Sequence, residues 1–114
     1  MTNEQTTRVL TALTEPIRRQ ALAHLWYGGE MCVCELMKQL GATQSRMSRH
    51  MAILKSAGLV VDRRDAQWVR YRRHPQVSGA IGRIVESVLN ADKCFAQLDQ
   101  GARSAGEFRE KLSA

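Results

Sequence analysis

The sequence predicts a mainly α-helical fold with one small β-hairpin, arranged as a winged helix-turn-helix. Three observations carry this. Apolar residues recur at helical spacing up to residue 57, glycines punctuate those stripes, and the stretch "LVVDRRDAQWVRYRRH" switches to an alternating pattern rich in Val, Trp and Tyr.

In "QTTRVLTALT", residues 5 to 14, Val9, Leu10 and Leu13 fall at helical spacing and define a short first helix. "TEPIRRQALAHLWYGG" offers Thr14 or Glu15 as cap, Pro16 in the first turn, apolar Ile17, Ala21, Leu22 and Leu25, and a Gly28-Gly29 stop, which makes a second helix. From Val33, the apolar positions 33, 36, 37 and 40 share one face until Gly41 ends a third, two-turn helix. After the break "GAT" a fourth helix runs to Ala57, with Met47, Met51 and Leu54 inward and Gly58 closing it. Two helices joined by a tight Gly-containing turn make a helix-turn-helix.

The hairpin is expected to turn near Asp65-Ala66, with Val69 and Tyr71 on the face opposite Trp68, Arg70 and Arg72. No Asn-Gly or Asp-Gly signal stands there, so the turn type stays open. Pro75 is expected to open a last long helix striped by Val77, Ile81, Ile84, Val85, Val88 and Leu89. That stripe exceeds what so small a domain needs for its own core, so a second copy is expected to cover part of it. Residues 1–100 are expected to form one domain. The Ser-, Gly- and charge-rich residues 101–114 are expected to be a flexible tail.

A chain of 114 residues with 44% hydrophobic and 25% charged content suits one globular domain. No run of about 18 apolar residues exists and "MTNEQTTRVL" is polar, so neither a membrane span nor a signal peptide is expected, and the cytoplasm is the expected compartment. The net charge of +6 is concentrated. Residues 43 to 74 hold eight basic side chains against two acidic ones, whereas the rest of the chain carries nine of each. Such concentration is the footprint of a polyanion, most often nucleic acid.

Turning Met47, Met51 and Leu54 inward puts Ser45, Arg49, Ala52 and Ser56 outward on the fourth helix, flanked by Arg46 and Ser48. Small residues let a helix approach the major groove, Arg reaches guanine edges or phosphates, and Ser or Gln completes hydrogen bonds. The hairpin arginines would lie along the adjacent backbone or minor groove and set affinity and register more than sequence choice. Double-stranded DNA is favoured over RNA, because only 5% of the residues are aromatic and no stacking cluster exists. The expected DNA-binding set is Gln44, Ser45, Arg46, Ser48, Arg49, His50, Arg63, Arg64, Arg70 and Arg72. His50, His24 and His74 lack a second ligand at helical spacing and are read as packing or phosphate-contact residues rather than metal ligands.

Cys32 and Cys34 are the remaining candidates. Three cysteines without regular spacing do not make a disulfide framework, so these thiols are inert, ligand-binding or redox-active. On a regular helix, residues two apart diverge by about 200°, so the pair is expected to flank Val33 rather than converge. Thiolates sharing one ion at bonds of roughly 2.3 Å must lie within about 4.6 Å of each other, so chelation is expected to pull open the first helical turn. Structural zinc needs four ligands, and a soft ion content with two or three thiolates fits better. An enzyme is not indicated. The chain has no C-x-x-C, no phosphate-cradling Gly loop, no nucleophile with a base, and no sign of an organic cofactor.

"EMCVCELMKQL", "QSRMSRHMAILKSAGLVVDRRDAQWVRYR" and "EPIRRQALAHL" resemble the ArsR/SmtB family of winged-helix metalloregulatory repressors over roughly residues 8 to 92, most closely its arsenite-responsive members. The resemblance implies a homodimer joined through its first and last helices and bound to double-stranded operator DNA of a resistance operon. It implies release when trivalent arsenic (arsenite or methylated arsenite) or antimonite binds Cys32 and Cys34. Many such members carry a third cysteine where this chain has Met37, a neutral thioether and a poor substitute for thiolate. Zinc sensors of the family carry histidines on the last helix, and cadmium or lead sensors carry cysteines near the N-terminus. This chain has neither. Cys94 is read as a packing or interface residue that becomes a third ligand only if the last helix approaches the pair across the dimer; Met37 and an exogenous thiol are the other candidates for that position. The alternative function is a thiol redox or sulfide-sensing repressor of the same fold.

Overall fold

The computed structural model describes residues 2–77 and 79–102, with side chains as far as Lys93. Helix α1 spans Asn3–Ala12, α2 Pro16–Gly28, α3 Val33–Leu40, α4 Gln44–Ser56 and α5 Gly79–Ala102. Strands β1 (Met31–Cys32), β2 (Val60–Asp65) and β3 (Trp68–Arg73) form one antiparallel sheet in the order β1-β3-β2.

The caps explain the boundaries. Thr2 accepts the Gln5 N–H and starts α1, two residues before the expected start. Of the two candidate caps for α2, Glu15 is the one used: its carboxylate takes the Ile17 and Arg18 N–H groups, with Pro16 in the first turn. Gly41 ends α3 at φ 64°, a left-handed conformation that glycine adopts without steric cost. Thr43 then caps α4 through the Arg46 N–H, so only three residues separate the two helices.

Two expectations are corrected. The sheet has three strands, because Met31 and Cys32 pair with Tyr71 and Arg70 of the hairpin; a two-residue strand has no period to read. The last helix starts at Gly79, not Pro75. The His74 N–H bonds to the Leu59 carbonyl, and its Nδ1 accepts the Gln76 N–H, holding this stretch as a turn. The hairpin loop is Ala66-Gln67, with Ala66 at φ 56° and Asp65 opposite Trp68. The helix continues to Ala102, so the expected tail at 101–114 lies outside the described residues from 103 onward.

Val9, Leu22, Leu25, Leu36, Met47, Met51, Leu54, Leu59, Val60 and Val85 are fully buried. At about 1.5–3 kcal/mol per buried side chain, Met47, Met51 and Leu54 alone fix how α4 is rotated on the core. In α5, Ile81, Val85 and Leu89 enter the core, while Ile84 and Val88 remain half-buried at its edge. Arg73 stacks 3.6 Å from the centroid of the Trp26 ring, whose Nε1 donates to Glu86. This contact joins the base of the wing to α2 and α5.

Candidate functional site

With its apolar residues buried, α4 exposes Gln44, Ser45, Arg46, Ser48, Arg49, Ala52 and Ser56. Among the described residues, the side chains of Arg46 and Arg49 on this helix and of Arg64 and Arg72 on the wing have no hydrogen-bond or ion-pair partner, and all four are exposed. These free guanidiniums, two on α4 and one on each face of the hairpin, are suited to phosphate oxygens.

Other cations of the basic segment are already engaged. Arg63 grips the Glu30 carboxylate through Nε at 3.0 and 3.1 Å and through Nη2 at 2.6 Å. That hydrogen-bonded pairing holds the Glu30 carboxyl below its usual range and raises the Arg63 guanidinium. Arg70 donates to Asp65 at 2.8 Å and lies 3.9 Å from Glu35, and Lys55 pairs with Asp62. Beneath them Tyr71 is buried in the core, which raises its phenol pKa.

The cysteine pair does not diverge. Cys32 lies outside the helix as the N-cap of α3, at φ −68° and ψ 148°, because its backbone is still paired with β3. Its side chain therefore folds over the first turn, where Sγ accepts the Cys34 N–H at 3.3 Å. The sulfurs of Cys32 and Cys34 are in bonding contact, with Cα atoms 5.2 Å apart. Cys32 is buried and Cys34 half-buried. Glu35 accepts the Cys32 N–H at 3.1 Å and completes the cap. The two sulfurs thus converge above an intact first turn, where divergence on either side of Val33 was expected. Met37 is half-buried against the core. The side chain of Cys94 lies outside the described residues, and no group of three or more His, Cys, Asp or Glu placed to hold a metal ion exists among the described residues.

Residues 15–61 match the family model for bacterial regulatory proteins of the arsR family. Two arsenic resistance transcriptional regulators of Pseudomonas putida, ArsR1 and ArsR2, are each 38% identical, over 75% and 74% of this chain and 66% and 73% of their own lengths. The chain belongs to the ArsR family. The arsenical resistance operon repressor of Escherichia coli is 35% identical over 57% of this chain and 56% of its own length. The chain thus spans about half to three quarters of the curated relatives it matches. Among solved structures, the homodimeric winged helix-turn-helix DNA-binding domain Mb0332 of Mycobacterium bovis superposes with a TM-score of 0.65 at 29% identity, covering 79% of this chain and 80% of that one. The family and these relatives are transcriptional regulators, not enzymes. No helix among the described residues is long and apolar enough to cross a membrane.

In this ArsR-family chain, His50 differs from the other residues of the expected DNA-binding set. It is half-buried at the edge of α4, and its Nδ1 faces Arg18 Nη1 at 3.2 Å. Arg18 is itself buried, donating Nε to the Ala12 carbonyl at 2.8 Å and Nη2 to the Thr11 carbonyl at 3.4 Å. A guanidinium only donates, so His50 Nδ1 must accept, and the proton of the neutral ring resides on Nε2. Burial, with the charges of Arg18, Arg46 and Arg49 and against that of Glu15, lowers the His50 pKa. Sequence reasoning missed Arg18, Glu30 and Glu35. Glu35, three residues after Cys32, had a signal, the spacing of a capping box with cysteine as the cap.

Proposed function

We propose that this chain is a repressor that binds double-stranded operator DNA as a homodimer and leaves it when trivalent arsenic or antimony bonds to Cys32 and Cys34. The observation that carries this reading is the convergence of the two sulfurs at the N-cap of α3, the helix against which α4 packs. The exposed side chains of α4 enter the major groove, while Arg64 and Arg72 of the wing meet backbone phosphates. Two copies read two half-sites, with the half-buried Ile84 and Val88 edge of α5 at the dimer contact. In the reduced state Cys32 and Cys34 supply two thiolates. A methylated arsenite needs no more than two, whereas arsenite or antimonite takes its third ligand from elsewhere.

The test is a titration of labelled operator duplex with dimer in the presence of arsenite, antimonite or methylated arsenite. Cys32→Ser and Cys34→Ser should bind the operator like the unchanged protein and fail to release it; release of both at unchanged arsenite concentrations would overturn the reading. A tenfold loss of operator affinity on ligand binding corresponds to about 1.4 kcal/mol of coupling.

The bonding contact of the sulfurs also favours a second reading, a thiol redox or sulfide-sensing repressor. Two thiols would give up two protons and two electrons to peroxide, yielding a disulfide and two waters. Mass spectrometry after peroxide or polysulfide, with operator binding followed in parallel, separates the two readings.

A further inference from the structure

Cys32 stands opposite Arg70 in the β1–β3 ladder, and Arg70 stands opposite Arg63 in the β2–β3 ladder. Directly opposed residues of an antiparallel sheet share a face, so Cys32, Arg70 and Arg63 form one row across all three strands. Two opposed cations repel, and such a pair needs counter-charge to hold its geometry. Two of the carboxylates that supply it flank the cysteines in sequence: Glu30 grips Arg63, and Glu35 sits beside Arg70 while capping Cys32. We propose that Glu30 and Glu35 are positioning residues of the wing, setting Arg63 and Arg70 for DNA and passing the state of the cysteine pair to the wing through the sheet. This inference rests on the release reading above.

Once a thiol reductant has supplied two electrons and two protons to the pair, a trivalent arsenical takes both sulfurs onto arsenic as its oxygen leaves with the two thiol protons as water, and the bridging atom holds the sulfurs further apart than their bonding contact. Cys34 is anchored in the first turn of α3, whereas Cys32 belongs to a strand of only two residues, so the displacement falls on β1. Because Glu30 immediately precedes β1 and the Glu35-bonded N–H belongs to Cys32 at its other end, the displacement reaches both arginines at once. Contact between α3 and α4 is then one of two routes to DNA.

The test compares the full-length dimer, kept reduced with a phosphine, with its Glu30→Gln/Glu35→Gln variant, using phenylarsine oxide as the dithiol probe. Glutamine at 35 still accepts the Cys32 N–H, so the cap persists; Glu30→Gln alone leaves the cap untouched and serves as the second variant. Probe affinity for DNA-free protein should stay within about twofold of the unchanged protein, while the ratio of operator Kd with and without probe should fall about fivefold. An undiminished ratio overturns the proposal. So does an equal loss of operator affinity in both states, which would make the carboxylates merely structural. If the unchanged protein binds the probe and is not released, the release reading itself fails and this proposal falls with it.

Discussion

Arg18→Met removes a buried guanidinium while keeping most of the volume of its stem. Two well-formed bonds are lost, from Nε to the Ala12 carbonyl at 2.8 Å and from Nη1 to His50 at 3.2 Å; the 3.4 Å contact to Thr11 counts for little. Bonds to a charged donor contribute about 1.5–3 kcal/mol each, and an acceptor left buried without a partner is penalised as well. Part of the loss is offset because a charge no longer has to be desolvated, which leaves a net destabilisation of about 2–4 kcal/mol. For a domain of this size each kcal/mol corresponds to about 4–8 °C, so Tm should fall by at least about 8 °C. Circular dichroism melting at fixed protomer concentration is the measurement, because a dimer's Tm depends on concentration. Operator affinity should fall too, since His50 loses the donor that sets its tautomer. A drop below about 3 °C with unchanged operator affinity would show that Arg18 does not brace α4 and would refute the reasoning.

The lowered His50 pKa gives a second expectation. The unfolded chain takes up this proton first as pH falls, so the stability contributed by the neutral ring is complete above the ordinary value of 6.5 and is lost as pH falls through the lowered value. His50→Asn keeps an acceptor for Arg18 without that titration, so the fall in Tm between about pH 7.5 and 5.5 should be smaller in the variant; equal falls would remove His50 as the cause. Arg49→Ala should lose about 1–3 kcal/mol of operator affinity with relaxed base preference, whereas Arg72→Ala should mainly reduce the salt slope by about 1. Equal loss of the Arg49 variant on operator and random duplex would make that residue a phosphate contact instead. Ile84→Glu should give monomers in sedimentation that no longer bind the operator, and a dimer that still binds would exclude the α5 edge as the interface. Met37→Cys should tighten arsenite binding by adding a third thiolate, and unchanged affinity would place position 37 out of reach of the metalloid.

Helix order, the tight turn before α4, the inward Met47-Met51-Leu54 stripe and the concentration of cations between residues 43 and 74 were all legible from the sequence, because each depends on local period, capping chemistry or charge. The same local reasoning misjudged the cysteine pair. It treated Cys32 as helical, whereas pairing with β3 holds its backbone extended and folds its sulfur onto that of Cys34. Nor could it sort the basic residues. Arg63 and Glu30 are 33 positions apart, and Trp26 and Arg73 are further apart still, so only the tertiary structure decides which cations are held by a partner within the chain and which stay free. Arg18 and His50 show the same limit at a separation of 32. Period, caps and charge act within a few residues and are written in local order, whereas the choice of partner for a long side chain is made by whichever distant groups the packed core brings within about 3 Å of it.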